Sequence, residues 1–198
     1  MSATPAVVVI ADDLTGAADA GVTFVRHGAR VQVLWDMGRL GSADLPPVDA
    51  IAISTESRQC AADAAREAVR VALEGARPLI QASPRPWIYK KIDSTLRGHP
   101  GVELAAALDD LQAPRALVAP AFPVQGRTTC GGLHRVQGQL LAQTVFGREV
   151  GTSDLRAIFA RGCPGKRLAA LPLASVRRGP AAVAAALRSA PRIWIADA

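Results

Sequence analysis

The sequence predicts an α/β fold: Rossmann-like, with a mostly parallel sheet, helices on both faces and a small hairpin insertion. Three observations predict it. Short apolar, β-branched runs alternate with segments of helical periodicity along the 198 residues. Polar turns follow several of those runs, at the strand ends where open α/β sheets collect ligands. Two short runs, 133–136 and 139–141, flank Gly138 and read as the hairpin.

The elements follow in order. Residues 6–11 (AVVVIA) form a continuous apolar run and read as a buried strand. Asp13 or Thr15 can cap the helix that follows, which runs to about His27 and stops at Gly28. Residues 31–35 are a second strand, 41–47 a loop and 50–54 a third strand. Residues 61–73 place Ala61, Ala65, Ala68 and Ala72 at helical spacing. A fourth strand spans 85–91, its prolines favouring a late start. A helix over 101–112 buries Leu104, Leu108 and Leu111, and 116–119 is the fifth strand. Residues 120–132 are a long Pro- and Gly-rich loop. Ser153 caps a short helix over 153–160; strands at 167–173 and 193–196 bracket an Ala-rich helix over 180–189.

Composition narrows the function. The chain is 49% hydrophobic but only 4% aromatic, so its core is built from Ala, Val, Leu and Ile. No run is long enough for a transmembrane helix, and Met1-Ser2-Ala3-Thr4-Pro5 lacks a signal-peptide n-region. A cytoplasmic location without a membrane partner is expected. The net charge is +6. Its arginines are scattered, with no basic arm and no interleaved aromatics, which suits a small anionic substrate and not a nucleic acid. Cys60, Cys130 and Cys163, like His27, His99 and His134, lack ligand spacing, so neither a metal site nor a disulfide framework is expected.

Four polar turns carry the chemistry, and all follow predicted strands, so that they can converge on one cleft. Asp12-Asp13 pairs two carboxylates with a small-residue helix start. Such carboxylates accept hydrogen bonds from substrate hydroxyls, act as general base, or hold Mg2+ through water. The bland alternative is a helix cap and an exposed neighbour. Thr55-Glu56-Ser57-Arg58 offers hydroxyls and a guanidinium fork suited to a carboxylate. The run from Lys90 to Gly98 brings Lys91, Asp93, Ser94 and Arg97 to a turn with free backbone N–H groups. Residues 119–129 present Arg127, Thr128 and further backbone N–H groups. Together they suit a small, polyhydroxylated anion.

This constellation resembles the four-carbon acid sugar kinase family. ADDLTGAADAG at 11–21, TESR at 55–58, YKKIDSTLRG at 89–98 and APAFP, GRTT and GG within 119–132 match that family's N-terminal blocks in order. The resemblance implies a sugar-acid-binding domain over 1–198, from enzymes that phosphorylate the terminal hydroxyl of threonate, erythronate or 3-oxo-tetronates with ATP. Asp12 or Asp13 would orient or deprotonate the attacking hydroxyl. Ser57, Arg58, Lys91, Asp93, Ser94, Arg97, Arg127 and Thr128 would hold the acid group and hydroxyls. Two departures stand out: the stretch 144–153 is short for the family, and His99 replaces a common Asn.

The resemblance implies that ATP and Mg2+ belong to the complete enzyme, with a C-terminal ATP-binding domain expected to lie outside this chain. No GxxxxGKS/T phosphate loop occurs here, and no tightly bound cofactor is expected on this chain alone. A stand-alone sugar-acid-binding module without catalysis is the competing reading. An unrelated nucleotide binder is disfavoured because no G-x-G-x-x-G follows the first strand. The partner is a small sugar acid, and a homodimer is admissible.

Overall fold

Val7–Ala11 forms strand β1, with residues 8–11 buried, as its unbroken apolar character requires of an inner parallel strand. The computed structural model describes residues 5–39, 47–82, 84–189 and 193–198. The expected loop at 41–47 lies outside the described residues except for Pro47. The chain divides into two compact units, Met1–Ile92 and Asp93–Ala198.

In the first unit β1 is followed by α1 (Leu14–Arg26), β2 (Val31–Leu34), β3 (Ala50–Ser54), α2 (Ala62–Gly75), α3 (Arg77–Ile80) and β4 (Trp87–Lys91). The four strands form one parallel sheet in the order β2-β3-β1-β4. Register places Ala11 opposite both Ser54 and Lys91, so the turns after β1, β3 and β4 leave the same edge. Small residues let α1 lie close to the sheet: Gly16, Ala17, Ala20 and Gly21 form its buried face. Ala17 and Ala20 join Val9, Ala11 and Ala52 in the core. Gly28, at a φ of 86°, ends α1 in the left-handed conformation that favours glycine.

Helix α2 buries Ala65, Val69, Ala72 and Leu73. The alanine spacing expected Ala61 and Ala68 in that face; Ala61 is exposed and Ala68 half-buried. The larger side chains Val69 and Leu73 rotate the helix, because they bury more apolar area. The short helix α3 was not expected. Strand β4 begins late, after Pro84 and Pro86, as anticipated.

From β1 the chain passes β3 to reach β2; from β3 it passes β1 to reach β4. These connections run in opposite directions, so the right-handed crossover rule puts α1 and α2 on opposite faces. The carboxyl ends of β1 and β3 therefore flank a topological switch point, where such sheets open a crevice.

The second unit contains α4 (Pro100–Asp110), β5 (Ala116–Val118), β6 (Arg127–Cys130), β7 (Leu133–Val136), β8 (Gln139–Leu140), α5 (Gly147–Val150) and α6 (Leu155–Gly162). It continues through β9 (Leu168–Leu171), α7 (Leu173–Arg177), α8 (Pro180–Ser189) and β10 (Ile193–Ala196). Strands β5-β10-β9 make a parallel sheet and β6-β7-β8 an antiparallel one. The mixed α/β class holds, with the parallel strands divided between two sheets.

Helices α4 and α6 touch backbone to backbone. A Cβ on Gly162 would lie 2.1 Å from the carbonyl carbon of Gly101. Around this contact Leu104, Leu108, Leu155, Ile158 and Phe159 are buried, whereas Leu111 is only half-buried.

Two local expectations change. The loop over 120–132 contains β6, because Thr128 and Thr129 pair in register with Arg135 and His134. Asp154, not Ser153, caps α6 by accepting from the Arg156 N–H at 2.8 Å; Ser153 Oγ accepts instead from Ala142 N.

Candidate functional site

At the switch point of the first unit, the turn after β3 is folded onto the turn after β1. The backbone N–H groups of Ser57 and Arg58 both donate to the Asp12 carbonyl, at 2.9 and 3.2 Å. The Thr55 hydroxyl donates to the Ala11 carbonyl. These bonds bring Arg58 over both carboxylates. Its Nε and Nη2 donate to Asp12 Oδ2 and Oδ1 at 2.7 and 3.0 Å; its Nη1 donates to Asp13 Oδ2 at 2.6 Å. Asp13 Oδ1 accepts from the Gly16 N–H at 2.7 Å and so caps α1. A Cβ on Gly16 would lie 2.8 Å from that oxygen, so the small residue is part of the cap.

All four carboxylate oxygens are thus engaged. Asp12 is almost fully buried, at 4% side-chain exposure, and Asp13 is the more open, at 22%. Two carboxylates face one guanidinium, and the α1 N-terminus offsets the excess negative charge. The spacing of the pair fits a guanidinium fork. Among the described residues no group of three or more His, Cys, Asp or Glu side chains that could hold a metal ion is found.

The structure therefore places Arg58 on protein carboxylates, where the sequence had it facing a ligand acid. Ser57 is fully buried, its hydroxyl 2.7 Å from that of Thr55. Lys91 is half-buried at the end of β4; its Nζ donates to the Ile92 carbonyl at 2.9 Å.

A compact turn over 93–98 opens the second unit. Asp93 Oδ2 accepts from the Thr95 hydroxyl at 2.5 Å and from Arg97 Nε at 2.6 Å. Leu96 is buried at a φ of 62°, so the turn includes a left-handed non-glycine residue. The Arg97 guanidinium lies 5.5 Å from the Phe146 ring centre, a cation–π distance. Glu149 Oε1 accepts from the Gly98 N–H at 2.9 Å. Phe146 and Glu149, within the 144–153 stretch that is short for the family, thus support Arg97 and Gly98.

His134 is fully buried on β7. Its Nε2 is 2.9 Å from the Ser94 carbonyl oxygen and its Nδ1 3.0 Å from the Thr129 hydroxyl. A carbonyl only accepts, so Nε2 carries the proton and Nδ1 accepts from Thr129. Burial holds this imidazole below its usual pKa; the Ser94 carbonyl opposes that, nearby Arg127 reinforces it, and Asp93 opposes it.

Arg127 Nη1 donates to Gln125 O and Oε1, while its buried Nε has no partner among the described residues. Thr128 is half-buried beside it on β6. The Gly131 and Gly132 N–H groups donate to Asp197 at 2.9 and 3.0 Å. Sequence reasoning missed Asp197 and Phe146 and read His134 only as structural. The pairing of His134 with Thr129 across a hairpin was the one signal available, and it required β6 to be seen.

The family model of the sugar-binding N-terminal domain matches residues 7–198. The chain belongs to this family. A D-threonate kinase from Cupriavidus necator is 41% identical to it, over 96% of this chain and 45% of that protein. A D-erythronate kinase from Heliobacterium modesticaldum is 37% identical, over 97% of this chain and 45% of that protein. A solved structure from Bordetella bronchiseptica is described as a domain of unknown function with bound citrate, in a domain-swapped dimer. It matches with a TM-score of 0.81 at 31% identity, over 98% of this chain and 48% of that one. This chain thus spans less than half the length of the curated relatives it matches. Among the described residues no helix is long and apolar enough to cross a membrane.

Proposed function

We propose that this chain is the sugar-acid-binding portion of an ATP-dependent kinase that phosphorylates the terminal hydroxyl of a four-carbon acid: threonate, erythronate or a 3-oxo-tetronate. The observation that carries this reading is the Asp12–Arg58–Asp13 cluster at the switch point of a sheet whose family binds sugars. Phosphoryl transfer asks a protein mainly for positioning and charge neutralisation. Asp13 is the more open carboxylate and accepts or orients the attacking hydroxyl. Asp12 and Arg58 hold Asp13 in place, and Ser57 braces their turn.

Arg97, aligned by Asp93 and Phe146, takes the acid group. Lys91, the Ser94 turn, Arg127 and Thr128 contribute further cationic and hydroxyl contacts. In the longer kinase ATP would supply the phosphoryl group, and Mg2+ would neutralise the charge on its phosphates. The swapped dimer of the Bordetella protein supports a homodimer as the assembly.

A thermal-shift screen of four-carbon acids tests the reading. A true ligand at a hundred times its dissociation constant stabilises the chain by roughly 2.7 kcal/mol. Shifts confined to threonate, erythronate or 3-oxo-tetronate support it. No shift with any of them, up to millimolar concentrations, refutes it.

A further inference from the structure

The 93–98 turn is not a conformation that its own residues hold cheaply. Leu96 sits at a φ of 62° with its side chain fully buried. A bulky residue persists there only where its surroundings over-determine the backbone. The internal ties run to Asp93, from Thr95 and Arg97. Two further ties come from elsewhere in the unit: Glu149 holds the Gly98 N–H, and His134 holds the Ser94 carbonyl.

The His134 tie is directional. Its Nε2–H points to the Ser94 carbonyl, and its Nδ1 lone pair receives the Thr129 hydroxyl. Thr129 itself is held on the backbone, with its N–H donating to the Ala198 carbonyl at 2.7 Å and its carbonyl accepting from the Ala198 N–H at 3.0 Å. The imidazole therefore transmits the position of β6 to the turn that carries Arg97.

We infer that His134 is a positioning residue: it locks the Ser94 carbonyl to the Thr129 hydroxyl and so fixes the turn that presents Arg97 to the sugar acid. The inference rests on the reading of Arg97 given under Proposed function. It adds that the specificity of the turn depends on a side chain that itself touches no ligand.

Two substitutions separate positioning from simple packing. Gln reproduces a donor near the Nε2 position, whereas Asn reproduces an acceptor near Nδ1 and falls short of Ser94. In the full chain, His134→Asn should accelerate amide exchange at Leu96, Arg97 and Gly98 by about tenfold or more, while His134→Gln stays within about threefold of the parent. D-Threonate affinity by calorimetry should follow the same order. Thr129→Val, which removes only the hydroxyl, should give an intermediate acceleration and decides the matter if the Asn variant does not fold. Parent-like exchange over 93–98 in His134→Asn, or equal acceleration in the Gln and Asn variants, overturns the inference. The exchange arm needs no ligand, so a parent chain that binds no four-carbon acid sinks the proposed function while still deciding the role of His134.

Discussion

Arg58 holds both oxygens of Asp12, through Nε at 2.7 Å and Nη2 at 3.0 Å, and so ties together the turns after two adjacent parallel strands. The Arg58 side chain is 13% exposed and that of Asp12 4%. Removing one partner of such a buried pair leaves the other charge uncompensated. Arg58→Ala should therefore destabilise the chain by about 3–5 kcal/mol, read from urea unfolding at pH 7. A loss below about 1 kcal/mol would mean that water replaces the guanidinium and that the pair does not organise the switch point.

Asp13 combines two tasks, capping α1 through Gly16 and meeting Arg58. Asp13→Asn keeps an oxygen that can cap but turns its amide N–H towards Arg58 Nη1, so stability should fall by more than the roughly 1 kcal/mol of a lost cap. Turnover in the longer kinase should fall by about 10²–10⁴ if this carboxylate takes the hydroxyl proton. An enzyme that is destabilised yet fully active moves the catalytic role to Asp12.

How far these roles were legible depends on the kind of contact. Strand β1 and the helix after it could be read locally, with Asp13 or Thr15 as the cap, since an apolar run followed by Asp and small residues specifies strand, cap and helix within about ten residues. The Arg58 pairing could not. It depends on β1 and β3 being neighbours in register, and no local pattern names a strand's partner. Strand β6 was hidden because Thr128 and Thr129 sit between proline-rich and glycine-rich stretches, where turn signals dominate. The bonds from the Gly131 and Gly132 amides to Asp197 could not be read either, because Asp197 lies more than sixty positions away.

His134 gives the second unit a pH dependence. Its pKa is lower in the folded chain than the ordinary value of 6.5, because burial outweighs the Ser94 carbonyl and Asp93. The unfolded chain then binds more protons in that range, so stability rises with pH. The stabilisation is present above about pH 6.5 and is lost as pH falls towards the folded-state value. Denaturation at pH 7 and pH 5 should show this loss, and His134→Gln should reduce it. Equal pH slopes in parent and variant would contradict the assignment.

The chain alone should not turn over ATP. It carries no GxxxxGKS/T loop, and its match covers 45% of the Cupriavidus kinase. A coupled assay with a mixture of tetronates should stay at background. Tetronate-dependent ADP release by this chain would mean that nucleotide binds within these residues.

Calorimetric titration of D-threonate, D-erythronate and a 3-oxo-tetronate into the chain and its Arg97→Ala variant tests the central claim most directly. Arg97 stacks on Phe146 and is aligned by Asp93, and a charge-assisted hydrogen bond to a ligand acid is worth about 1.5–3 kcal/mol. The parent should bind at least one of these acids, and the variant, still folded, should bind it about tenfold to a hundredfold more weakly. A folded parent that binds none of them, or a variant with unchanged affinity, would contradict the account.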